Sequence, residues 1–202
     1  MASEKTPVPN EERTERMRAR LLDATLDVIL KEGWAKASTP KICKQAGVSR
    51  GAQTHHFPTK ASLLAAALDW RAGQYEKKIV ERLAAGEGQE RTLRALLDGI
   101  WEAMLDDRFI QTGMEAMVAA RTDPELRALL ARHDMDAVRS MRDMADDIGA
   151  DPLTLARVKD AIELSVYLFR GLVVQRGVHN DPKFKRDLYD KWCALVDDAL
   201  AD

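Results

Sequence analysis

Residues 39–60 read TPKICKQAGVSRGAQTHHFPTK, and the fold turns on how this stretch is parsed. Pro40 to Ala46 has the pattern of a short helix with Ile42, Cys43 and Ala46 turned inward. Gly47 supplies a left-handed turn, Val48 plugs the corner, and Ser49 caps a second short helix running to His55 or His56. Phe57-Pro58 closes that helix, and Thr59-Lys60 opens the next. A helix, a short glycine turn and a second short helix form the helix-turn-helix signature, whose second helix lies in the major groove of DNA.

This stretch sits inside a longer run, Gly33 to Leu68, that holds no Asp or Glu. With 33 acids in 202 residues, about six would fall there at the average density. The run carries Lys36, Lys41, Lys44, Arg50 and Lys60 instead. Three helix starts place a cation beside the cap: Thr39-Pro40-Lys41, Ser49-Arg50 and Thr59-Lys60. Helix N-termini carry partial positive charge and favour acids, by about 0.3–1 kcal/mol per group. The arrangement is therefore expected to cost the free protein stability and to place the phosphates of a polyanion at those ends. Expected phosphate contacts are Thr39, Lys41, Lys44, Ser49, His56 and Lys60. Expected base readers are Arg50 against guanine, Gln53 against adenine, Thr54 against a thymine methyl, and His55 against a base or phosphate.

The rest of the chain reads as an ordinary helical protein. At 46% hydrophobic and 32% charged residues it has enough apolar sequence to fold without disulfides or metal. Net charge is −2, which taken alone argues against a DNA binder. The charge is unevenly spread, however: residues 1–60 hold eleven Lys/Arg against seven Asp/Glu, and the remainder twenty against twenty-six. A basic head on an acidic body fits DNA binding by one end only. Cys43 and Cys193 are far apart and lack metal-ligand spacing, so they read as buried small hydrophobes in a reducing cytoplasm. His55 and His56 point about 100° apart on a helix with no Cys or carboxylate beside them, so neither metal nor cofactor is expected. No signal peptide or membrane-spanning run is visible, and a cytoplasmic location is expected.

No convincing strand appears, and the expected class is all-α with about nine helices. A disordered arm over residues 1–11 is expected to lead into a DNA-binding head over 12–60 and a body over 61–202. The head's first helix spans about Glu12–Lys31, with Met17, Leu21, Ala24, Val28 and Ile29 as its stripe. A long helix, about Lys60–Ala85, links head to body. Further helices are expected at about Glu90–Leu105, Phe109–Arg121, Pro124–Asp147, Pro152–Arg176 and Pro182–Leu200. Three begin with Asp-Pro (Asp123-Pro124, Asp151-Pro152 and Asp181-Pro182), the stabilising arrangement of cap and first helical residue. Ala161–Val174 is apolar nearly all round, and the last helix has a wide stripe. These two helices are expected to pair with the same two of a second subunit through Val166, Phe169, Val173, Leu188, Trp192, Leu195, Val196 and Ala199.

Residues 21–64 resemble the tetracycline-repressor (TetR) family of bacterial transcription regulators. The resemblance rests on the amphipathic first helix, Gly33-Trp34, the run Ile42 to Ala52, His56-Phe57-Pro58-Thr59-Lys60 and Leu63-Leu64. It covers about a quarter of the chain; the body matches only in helix count and length. Gln53-Thr54 stands where that family usually has an apolar residue followed by a phosphate-holding tyrosine. The resemblance implies a homodimeric repressor on a palindromic operator of double-stranded DNA, released by a small, mostly apolar effector enclosed in the body. Met104, Met114, Met117, Met135, Met141 and Met144 cluster mid-body beside Trp101 and Phe109. Flexible thioethers suit an adaptable, mostly apolar pocket, and the same spacing suits plain core. Arg121, His133, Glu163, Tyr167 and Arg170 are the candidate polar anchors. A sequence-indifferent architectural protein would be more basic than this chain, and an enzyme would need a nucleophile elbow, phosphate loop or metal constellation that the sequence lacks.

Overall fold

A computed structural model of the chain describes residues 10–85, 93–148, 152–175 and 181–201. These residues form nine α-helices and no strand, as the all-α reading expects. The head comprises α1 (Asn10–Lys36), α2 (Thr39–Ala46) and α3 (Arg50–His56), and α4 (Lys60–Ala85) leads out of it. The body adds α5 (Leu93–Leu105), α6 (Asp107–Ala119), α7 (Pro124–Met144), α8 (Pro152–Val174) and α9 (Pro182–Ala201). A 3-10 turn at Ala145–Ile148 completes α7. None of the described helices is long and apolar enough to cross a membrane. The expected arm up to residue 9 and the Asp151 cap lie outside the described residues, as do residues 86–92, where Gly86-Glu87-Gly88 is expected to end the long helix.

In the body the helix starts follow the capping rules, whereas α2 begins at Thr39 itself, behind Ser38, whose side chain makes no capping hydrogen bond, so Thr39 is the first helical residue and not the expected cap. Asp123 accepts the Leu126 amide at 2.9 Å, and Asp181 accepts the Lys183 amide at 2.9 Å. Asp106 caps α6 by accepting the amides of Arg108 (3.0 Å) and Phe109 (3.3 Å), so α6 begins two residues before the expected start. The first helix is also longer than expected. Gly33, at φ 75° and ψ 163°, breaks it, and one further turn follows in which the Ala37 amide donates to Gly33 O. A β-carbon at Gly33 would lie 3.3 Å from a carboxylate oxygen of Glu115, which belongs to α6.

Two apolar cores hold the molecule. The first packs Leu21, Leu26, Ile29, Ile42 and Phe57 against Leu63, Leu64 and Leu68 of α4, and it also takes Ala116 and Ala120 from α6 and Leu126 from α7. The head's core therefore runs past Lys60 into the body, because the first turns of α4 present their apolar stripe to the head. The second core joins α4, α5, α8 and α9. At its centre Trp101 stacks on Tyr189 at 4.9 Å between centroids and meets the Phe169 edge at 5.1 Å. Burial and the bond to Asp98 push the Tyr189 hydroxyl well above its ordinary pKa.

One polar node ties the long helix to the start of α6. Arg71 donates to Asp106 at 2.6 and 2.8 Å, and Tyr75 donates its hydroxyl to the same oxygen at 2.8 Å. Burial opposes the charge on Asp106, but the bonds from Arg71 and Tyr75 and its capped amide outweigh it and hold the carboxyl below 3.8. Burial, then the hydrogen bond to Asp106, pushes Tyr75 up to about 12.

Candidate nucleic-acid interface and ligand cleft

The helix-turn-helix forms as its residues dictate. Gly47 adopts φ 62° and ψ 39°, and its amide and that of Val48 close the end of α2 on the carbonyls of Lys44 and Cys43. Ser49 caps α3, its hydroxyl accepting the Ala52 amide at 3.2 Å. Burial raises the Cys43 thiol above its ordinary pKa, with Arg50 partly opposing it. On α3, Arg50, Gly51, Thr54 and His55 are exposed, while Ala52 and His56 are half-buried. Thr54 also donates its hydroxyl to Arg50 O at 3.0 Å. These residues and the exposed Lys44 present a face among which no acidic side chain occurs.

Gln53 departs from its expected role. It is 3% exposed, and its amide donates to Phe57 O while the Phe57 amide donates back to Gln53 O at 2.7 Å. Its side chain closes the end of α3 inside the fold and has no surface for a base. Gln53 occupies the position that the resembled family fills with an apolar residue, and that apolar position was the signal of burial.

Lys60 and Lys41 depart too, for a shared reason. Lys60 donates to Trp34 O (2.8 Å) and Ala37 O (3.1 Å), and its ammonium lies 3.9 Å from the centroid of the Trp34 ring. Lys41 donates to Lys36 O at 3.1 Å and pairs with Glu32 at 2.5 Å. The last carbonyls of α1 are unpaired in the helix and carry the negative end of its dipole, so cations nearby satisfy them. α2 and α4 both start beside that end. Two of the three cations that look misplaced at a helix start thus serve another helix's finish. Burial lowers the Lys60 ammonium below its usual 10.5, with Asp123 partly opposing this. Thr59, the cap beside it, exchanges hydrogen bonds with Ser62 and donates its hydroxyl to Glu125 at 2.6 Å.

The body contains an apolar cleft with an interior of about 50 Å³ that opens to solvent, bordered by α4, α5, α6, α7 and α8. Of the expected anchors it gathers Met104, Phe109, Met114, Met117, His133 and Arg170, and adds Leu68, Ile110, Gly113, Leu130 and Asp134. A second cleft, also of about 50 Å³, shares Met104, Phe109, His133 and Arg170 and reaches Tyr75 and Met141. Four expected residues are elsewhere. Trp101 is locked in the aromatic core, Arg121 is exposed past the end of α6, and Glu163 pairs with Arg142 at 2.6 Å. Tyr167 stands outside the lining, its hydroxyl 3.5 Å from Asp134 and its ring under Arg170. Asp134, which pairs with Arg170, escaped the sequence reading because one acid on a charged helix face carries no signal.

The α8–α9 pair also sorts differently from expectation. Val166, Phe169 and Val196 are buried in the monomer's own core, and Val173, Leu188 and Trp192 are half-buried. Trp192 donates its indole N–H to Ser165 at 2.7 Å, fastening α9 to α8. The exposed apolar face consists of Leu164, Leu168 and Val174 on α8 with Leu195 and Ala199 on α9. A helix apolar all round gives no phase to its pattern, so the inner and outer faces could not be told apart.

Residues 21–67 match the family of bacterial regulatory proteins of the tetR family. The chain is 30% identical over 194 residues to an uncharacterized HTH-type transcriptional regulator of Mycobacterium bovis, covering 92% of this chain and 95% of that one. It is 37% identical over 121 residues to the HTH-type transcriptional regulator CymR of Pseudomonas putida, a match spanning 60% of this chain and 59% of CymR. The fold matches a crystal structure of a candidate transcriptional regulator from Streptomyces coelicolor at a TM-score of 0.61 and 25% identity, covering 90% and 98% of the two chains.

Proposed function

Because this chain belongs to the TetR family of bacterial transcriptional regulators, we propose that it is a homodimeric repressor, bound to a palindromic operator and released by a small, mostly apolar effector. It is a DNA-binding regulator and not an enzyme. It works in the cytoplasm, on the nucleoid while bound. Arg50, Thr54 and His55 read bases, and Thr39, Lys44, Ser49 and His56 hold phosphates. Leu164, Leu168, Leu195 and Ala199 form the centre of a two-fold four-helix interface.

The observation that carries the ligand-responsive part is the double duty of α6. One side of it lines the cleft with Phe109, Ile110, Gly113, Met114 and Met117. The other side grips the head: Arg108 pairs with Asp23 (2.8 Å) and Asp27 (2.6 Å), Thr112 donates to Leu26 O (3.3 Å), and Glu115 accepts the Trp34 amide (3.2 Å). An effector that shifts α6 shifts the first helix of the head with it. Two heads must match grooves about 34–36 Å apart, so a small tilt loses contacts in both half-sites. A coupling of about 1–3 kcal/mol changes operator affinity roughly 5–150-fold.

Selection of bound fragments from genomic DNA tests the first half, and recovery of one inverted-repeat motif is expected. For the second half, the operator must weaken effector binding by the same factor that effector weakens operator binding. A ligand of the cleft that binds equally with and without operator would show that it is no inducer.

A further inference from the structure

The cleft is apolar except at one end, where α7 and α8 bring together His133, Asp134 and Arg170. We infer that the effector is an apolar monocarboxylic acid whose carboxylate takes the Arg170 guanidinium from Asp134. The inference rests on the reading of this cleft as the effector site.

The reasoning is a comparison of what each head group would strand. Arg170 is 19% exposed and Asp134 30%, and they are ion-paired across α7 and α8. Arg170 borders both clefts, whereas Asp134 borders only the first. A cationic ligand would have to compete for Asp134 and leave a mostly covered guanidinium with only the Tyr167 ring, 5.8 Å away. An uncompensated buried charge is strongly unfavourable. An uncharged polar head has the same pair to break with less to offer in return. An acid replaces one carboxylate by another in fork-to-fork geometry, so the guanidinium stays paired throughout. The displaced Asp134 is the more exposed partner and keeps the Tyr167 hydroxyl beside it. His133 is 12% exposed and hydrogen-bonded to Asp69, which is 61% exposed, so the imidazole at this end already has a carboxylate partner. The exchange has a mechanical consequence: the Asp134–Arg170 pair bridges α7 and α8, and releasing it loosens the wall opposite α6.

The test is calorimetric titration of the full-length protein with octanoate, decanoate and 4-phenylbutanoate, each beside its primary amide and its amine. Acids are expected to bind about tenfold or more tighter than their amides, with amines weakest. Arg170→Gln should bring the acids down to the affinity of the amides. Asp134→Asn should do the opposite, tightening acids several-fold and leaving amides unchanged, because it removes the competing carboxylate. This gain is not what loss of a merely structural ion pair would produce, and it remains measurable if Arg170→Gln fails to fold. Gly113→Phe serves as the control for location, since Gly113 belongs to the cleft lining and a β-carbon there meets no atom within 4 Å. If amides or amines bind as well as acids, and Gly113→Phe abolishes that binding, the cleft is the ligand site and the acid assignment is wrong. If no member of the series binds, or Gly113→Phe leaves binding intact, the cleft reading falls and the acid assignment falls with it.

Discussion

Removing the Lys60 ammonium tests whether this cation belongs to the fold or to DNA. Lys60→Met keeps the apolar stem and deletes the charge that spans Trp34 O, Ala37 O and the Trp34 ring. Hydrogen bonds from a charged donor contribute about 1.5–3 kcal/mol when well shielded, and Lys60 is only half-buried, so about 1 kcal/mol per bond is appropriate. The ring contact adds about 0.5–1 kcal/mol. Burial opposes the charge and offsets part of this gain, as the lowered ammonium pKa records. The net loss is about 2 kcal/mol, or about 4–8 °C in Tm for a chain of this size. Thermal unfolding of the DNA-free protein, followed by circular dichroism, measures it. The contrary view treats Lys60 as a phosphate clamp placed against the dipole of α4. On that view the variant would unfold at the same temperature or a higher one, while the salt slope of DNA binding would flatten by about one unit. An unchanged Tm would refute the structural assignment.

Four other substitutions separate roles that the sequence left joined. Gln53→Ala should cost about 1–3 kcal/mol in urea unfolding through the lost buried bond to Phe57 O, with base preference unchanged, whereas Arg50→Ala should relax preference at one operator position per half-site and leave stability alone. Leu195→Glu places a charge on the exposed face of α9, and sedimentation at micromolar concentration should convert a dimer to the 22.6 kDa monomer without unfolding it; a wild-type monomer would dispose of the interface. Asp106→Asn should cost about 2 kcal/mol at neutral pH by weakening the bonds from Arg71 and Tyr75. Because the folded carboxyl lies below 3.8, its contribution is fully present above 3.8 and lost as pH falls through the depressed value, so the gap between wild type and variant in urea midpoint should close there.

What the sequence made legible was local. The glycine turn at Gly47, the Ser49 cap, and the Asp-Pro starts at Asp123 and Asp181 each depend on a few adjacent residues, and each appears where expected. What it left illegible depended on which element lies beside which. The cations at Lys41 and Lys60 are odd for their own helices, and their partners are the carbonyls at the end of α1, 5 to 26 residues away in the chain. Trp101 and Met104 lie three residues apart on one helix, yet only Met104 reaches the cleft, because Phe169 and Tyr189 close around the indole. The Gln53 position was recoverable, since its family counterpart is apolar and an apolar position on a short helix faces the core.

The same distinction explains why α6 could not be recognised as the connecting element from its own residues. Ile110, Met114 and Met117 lie on one side of α6, and Arg108, Thr112 and Glu115 on the opposite side. In the fold that second side is turned to α1, where Arg108 donates to Asp23 and lies beside the Asp27 carboxylate, Thr112 donates to a carbonyl, and Glu115 accepts the Trp34 amide. Polar contacts of this kind are directional and part over a short displacement, whereas apolar packing slides. A helix that meets its ligand through thioethers and its partner through directional bonds converts a soft displacement on one side into broken bonds on the other. Glu115 is the most exacting of these bonds, because it seats in the space that Gly33 leaves open and caps the final turn of α1, the same turn whose carbonyls Lys41 and Lys60 hold beside the starts of α2 and α4.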